Sequence, residues 1–147
     1  MTTGQESVAT GGCLCGAVRY EVRGEVRSII NCHCGQCRRF GGHFGAYTHV
    51  GDEQFTLARE RGLKWYRSSD AARRGFCAEC GSTLTMHESV LEDRVQVCLG
   101  SLDRAAEVRP DDHVWTTDQL PWLRLDDDRP RFARNSSAVP SRAAGAD

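Results

Sequence analysis

The stretch Gly12-Cys13-Leu14-Cys15-Gly16-Ala17-Val18-Arg19-Tyr20-Glu21-Val22 decides the fold. In its second half Val18, Tyr20 and Val22 alternate with Arg19 and Glu21, a period of two that puts the apolar set on one face of a strand. In its first half two cysteines stand one residue apart, so an extended chain carries both side chains on the same face. Gly16 then frees the backbone to turn. A strand that grows out of a Cys-x-Cys turn predicts a β domain whose core is supplemented by metal.

Outward from there, short apolar-rich runs recur at Ser28 to Asn31, Phe44 to Val50, Gln54 to Ala58, Leu63 to Tyr66, Thr83 to His87 and Val95 to Leu99, with glycines between them. No segment sustains a helical period. The expectation is a mainly β, small single domain of short antiparallel strands. The reading divides the chain into a flexible N-terminus (1–9), a zinc-binding domain (10–132) and a disordered tail (133–147) poor in large apolar residues. A chain of 147 residues fits one domain, but 39% apolar and 27% charged residues leave a thin core. Its eight cysteines are the available reinforcement.

Lys plus Arg number 19 and Asp plus Glu number 20, a net charge of −1 that gives no field to recruit nucleic acid or an anionic membrane. Met1 to Thr10 lacks a basic region followed by an apolar run, and no apolar stretch is long enough to span a bilayer. These features predict a cytoplasmic protein. In a reducing compartment cysteines serve metals or catalysis rather than disulfides, and Cys-x-Cys suits an internal bridge poorly.

Seven of the eight cysteines form three groups: Cys13 with Cys15, Cys32 and Cys34 with Cys37, and Cys77 with Cys80. Two pairs, Cys13/Cys15 and Cys77/Cys80, make a closed four-thiolate zinc site tying the N-terminal strand to the middle of the chain. Cys32, Cys34 and Cys37 provide three thiolates, and three protein ligands with an open fourth position distinguish catalytic from structural zinc. Closure of that site by Cys98 or a histidine is the alternative; Cys98 otherwise reads as a core thiol. The expectation is two zinc ions per chain.

The order Gly12-Cys13-Leu14-Cys15-Gly16-Ala17-Val18-Arg19-Tyr20, then Cys32-His33-Cys34-Gly35-Gln36-Cys37-Arg38-Arg39, then Phe76-Cys77-Ala78-Glu79-Cys80-Gly81-Ser82-Thr83-Leu84 resembles the glutathione-dependent formaldehyde-activating enzyme family, whose domain centromere protein V shares. Gly100 to Asp103, His113 to Trp115 and Trp122 to Phe132 extend the resemblance. It implies an all-β, tent-like fold, the same division of cysteines between a structural and a catalytic zinc, and carbon–sulfur lyase activity on the adduct of glutathione and formaldehyde. That condensation also proceeds unaided, so a carrier of the adduct, or a zinc-binding module with its second site closed, is the competing role.

The sequence departs from the family pattern at Gly42-His43, where a small residue is more usual after the glycine. His43 is thereby a candidate catalytic residue beside Cys32, Cys34 and Cys37, either as fourth ligand or as proton shuttle. His33, alternating with two cysteines, is expected to turn its ring away from the metal. Arg38 and Arg39 are candidates to hold a substrate carboxylate, and Trp65, Trp115 and Trp122 are expected in the core. Expected partners are a small thiol such as glutathione and a small aldehyde, with no nucleic acid and no membrane.

Overall fold

A computed structural model describes residues 6–136. Ten strands form two sheets, with a single α-helix among the described residues. β1 (Val8–Gly12), β2 (Val18–Arg23) and β5 (Phe55–Glu60) make a three-stranded antiparallel sheet in the order β1-β2-β5. The second sheet contains β3 (Arg27–Cys32), β4 (Gly45–Gly51), β6 (Leu63–Arg67), β7 (Ala72–Cys77), β8 (Thr83–Glu88), β9 (Arg94–Cys98) and β10 (Asp112–Val114). Its order is β10-β3-β4-β9-β8-β7-β6, and every pairing is antiparallel except β10 with β3. The fold is mainly β and small, as the alternation predicts.

In β2 the buried residues are Val18, Tyr20 and Val22, as the period of two requires. Burying side chains of this size contributes about 1.5–3 kcal/mol each. They pack with Val50, Leu84, Val95, Val97 and Leu102, so the main core lies between the sheets. A second, smaller core gathers Ile30, Tyr47, Met86 and Val114 around Cys32, Cys34 and Cys37.

Three features depart from the sequence expectations. β1 takes in Val8 and Ala9, assigned above to the flexible N-terminus, because its full length pairs with β2 from Val8↔Arg23 to Gly12↔Arg19. Ala133 to Ser136 does not belong to a disordered tail: Trp115 N donates to the Arg134 carbonyl at 3.0 Å, Trp115 Nε1 donates to Asn135 Oδ1 at 2.7 Å, and Ser136 is buried. The remainder of that tail, 137–147, lies outside the described residues. The third is α1 (Gly35–Gly41), two turns inserted into the middle cysteine group.

Candidate metal centres and the cleft beside them

The first cluster joins the two sheets. Cys13 and Cys15 lie in the turn between β1 and β2, while Cys77 ends β7 and Cys80 stands in the turn to β8. Each turn ends on a glycine in the left-handed region, Gly16 at φ 80° and Gly81 at φ 79°, a conformation that costs a side-chain-bearing residue about 1 kcal/mol or more. Their amides close the turns onto carbonyls, Gly16 N to Cys13 O at 3.2 Å and Gly81 N to Cys77 O at 2.7 Å. Other amides reach the sulfurs, among them Val18 N, which donates to Cys13 Sγ at 3.2 Å.

All four ligand atoms of this cluster lie within 4.8 Å of one another. Cys13 Sγ to Cys15 Sγ is 3.6 Å and Cys15 Sγ to Cys77 Sγ 3.8 Å. A tetrahedron of sulfurs at about 2.3 Å from zinc has edges of about 3.8 Å, so the donor set fits that ion. A disulfide needs sulfurs at about 2.05 Å, and none of the eight cysteines forms one. The Ser82 hydroxyl, 3.2 Å from Cys80 Sγ, together with the Ser82 and Cys15 backbone amides lowers the Cys80 thiol to about 5, which favours the thiolate a metal needs.

The second cluster is built differently. Cys32 ends β3, Cys34 caps α1 with its sulfur accepting from Cys37 N at 3.4 Å, and Cys37 lies inside the helix. All three are buried, and their sulfurs also fall within 4.8 Å of one another. Among the described residues the group that can surround one ion comprises these three alone; neither Cys98 nor a histidine joins it. Hydrogen bonding from Cys34 and Cys37, with burial, holds the Cys32 thiol well above its ordinary range while the sulfurs share protons.

Gly45 of β4 lies against this cluster. A Cβ there would stand 2.4 Å from the Tyr47 ring and 3.1 Å from Cys37 Cβ, so only glycine allows the strand to approach so closely. Gly45 also lines a cleft of about 270 Å³, together with His43, Phe44, Tyr47 and Cys98 among others. Cys98, expected in the core, is half-buried and faces this cleft.

The candidate residues separate on inspection of their places. His43 is exposed at the cleft, with its ring edge-on to Trp122 at 5.2 Å. Trp122 itself is 64% exposed and Trp65 38%, so neither is the core residue expected from its type. Arg38 and Arg39 lie in the last turn of α1, Arg39 exposed.

His33 is fully buried and takes a structural place. Asp127 accepts from His113 Nε2 at 2.9 Å, and His113 Nδ1 lies 3.0 Å from His33 Nε2. A carboxylate only accepts, so His113 carries its proton on Nε2 and His33 donates in turn, leaving His33 Nδ1 as a buried lone pair. Burial, with His113 and Arg131 nearby, lowers His33 to about 4 and keeps it neutral. Sequence reading found neither this chain nor Arg74, whose buried guanidinium reaches Cys37. Both depend on contacts between distant segments and leave no local pattern.

Fold and site define a small β protein with two cysteine clusters able to hold metal ions, consistent with zinc. The chain belongs to the glutathione-dependent formaldehyde-activating enzyme family, whose profile matches residues 8–118. A crystal structure of a Rhodobacter sphaeroides protein is similar, with 25% identity and a TM-score of 0.57 over 69% of this chain and 91% of that one. No curated protein matches it in sequence. No helix among the described residues is long and apolar enough to cross a membrane.

Proposed function

We propose that the chain is a zinc-dependent carbon–sulfur lyase acting on the adduct of a small thiol and a small aldehyde, such as S-hydroxymethylglutathione. Cys13, Cys15, Cys77 and Cys80 hold a structural zinc, and Cys32, Cys34 and Cys37 hold a second zinc whose fourth position is open. The observation that carries the reading is the second cluster: three buried sulfurs, no fourth protein ligand among the described residues, and a neighbouring cleft that Gly45 helps to line.

When bound at three thiolates, zinc stabilises a soft sulfur ligand and lowers its pKa. The protein supplies the rest. In the synthetic direction the thiol sulfur forms a bond to the carbonyl carbon, the C=O π pair moves to oxygen, and the oxygen gains the proton that the thiol lost. His43 is the group at the cleft suited to pass that proton, and its exposed place outside the cysteine cluster favours this role over that of a ligand. Phe44 and Tyr47 form an apolar wall that limits water at the reacting carbon.

A carrier of the same adduct would bind identically without accelerating its exchange. The test is the rate at which glutathione and formaldehyde exchange with S-hydroxymethylglutathione, followed by two-dimensional NMR exchange spectroscopy with and without the zinc-loaded protein. Exchange above the uncatalysed rate, lost in Cys34→Ser, supports the enzyme. Stoichiometric binding with an unchanged rate establishes the carrier.

A further inference from the structure

Arg74 stands on β7 with 1% of its surface exposed. A guanidinium is costly to bury unless its donors and charge are met. Nε donates to Ser68 Oγ at 3.2 Å and Nη1 to the Tyr47 hydroxyl at 3.1 Å. The planar group also lies over the Phe40 ring, 4.6 Å from its centroid. Nη2 points at Cys37 Sγ at 3.6 Å, within reach of a hydrogen bond to sulfur. Three segments, the turn at Ser68, β4 and α1, thus hold one positive charge against one sulfur of the second cluster.

We infer that Arg74 is a specificity-determining residue that makes the open position of the second cluster favour an anionic ligand over a neutral one. This rests on the proposed reading of Cys32, Cys34 and Cys37 as an open zinc site. A divalent ion with three thiolates is a monoanion, which would repel an incoming thiolate in a low-dielectric interior. The buried guanidinium cancels that charge, and Arg does so at every accessible pH. A neutral ligand gains nothing from the cancellation, so the residue acts as a charge filter on what binds. Tyr47, whose hydroxyl accepts from Arg74, is also one of the residues lining the cleft, so one side chain joins the guanidinium to that side of the site.

The test uses the full chain loaded with cobalt(II), titrated with 2-mercaptoethanol and, separately, with imidazole while the cobalt d–d and sulfur-to-cobalt bands are recorded. Arg74→Gln is expected to weaken thiol binding about 10- to 100-fold, the range for a hydrogen bond to a charged group, and to leave imidazole within about twofold. Arg74→Lys, which keeps the charge, is expected to restore most of the thiol affinity. Equal losses for both ligands, or no loss for the thiol, would overturn the inference while leaving the open site standing. A wild-type centre that takes neither ligand would overturn the open-site reading and this inference with it. If Arg74→Gln does not fold, Arg74→Met is titrated in its place: a loss confined to the thiol supports the charge filter, and equal losses for thiol and imidazole refute it.

Discussion

The two cysteine clusters solve opposite problems. The first has four sulfurs but sits near the surface, with Cys15 exposed and Cys80 half-buried; the second has three sulfurs, all buried. The first draws its members from turns of both sheets, the second from six consecutive residues and the start of one helix. A cluster saturated by its own protein ligands has no need of burial, since nothing else has to be excluded from it. On the proposed reading the second cluster keeps one position for substrate and needs close packing around it; Gly45, Tyr47 and Arg74 lie against its sulfur-bearing residues.

The sharpest way to break this comparison is to remove one sulfur from each cluster. Cys80→Ser is expected to abolish folding, because structural zinc supplies about 10–16 kcal/mol of apparent binding energy in small domains. Cys34→Ser is expected to leave a folded chain with one zinc, checked by circular dichroism and metal analysis. Should Cys34→Ser unfold as completely as Cys80→Ser, both clusters are structural.

Next in size is His43→Ala, expected to slow exchange of the thiol–aldehyde adduct by about 10²–10⁴-fold with no change in melting temperature, since the side chain is exposed. Unaltered kinetics would reduce His43 to a surface residue. Gly45→Ala is expected to cost about 1–3 kcal/mol, as overpacking does, and to disturb metal at the second cluster only. Loss of metal from the first cluster instead would show that the two are mechanically coupled.

The smallest effect lies far from either metal. Arg19 holds the Asp103 carboxylate with two hydrogen bonds, and Thr10 Oγ1 adds a third at 2.6 Å. Arg19 first, then Thr10, lowers Asp103 to about 2. A depressed carboxylate contributes stability above its unfolded pKa of about 3.9, lost as pH falls from there toward about 2. Because the pair is partly exposed, Arg19→Gln should cost only about 0.2–1 kcal/mol at neutral pH and distinctly less at pH 2, where Asp103 is about half protonated, measured by urea denaturation at both.

Much of this was legible in the chain itself. The alternation at Val18 to Val22 identifies β2 and its buried face, and the order of seven cysteines separates the clusters that the structure assembles. α1 was not visible, because two turns are too short to establish a helical period and Cys34, an unusual cap, carries no sequence signal. Arg74 within Ala72-Arg73-Arg74-Gly75 reads as another solvated arginine until β4 and α1 close over it. Cys98 reads as core because Val95 and Val97 are, yet it falls where β9 ends at the cleft.

β10 pairs in parallel with β3 over three residue pairs and bridges on its other side to Arg131, and beside it the His33–His113 contact spans 80 positions of chain. Contacts so distant are among the last to form during folding, and a short edge strand is among the first to open. The strap from His113 to Phe132 is thus expected to open more readily than Val95 and Val97 of β9, which belong to the main core. Amide exchange at His113 and Phe132 should outpace that at Val97 by orders of magnitude. Such opening is expected to bring the buried lone pair of His33 to solvent while the centre of the fold stays closed.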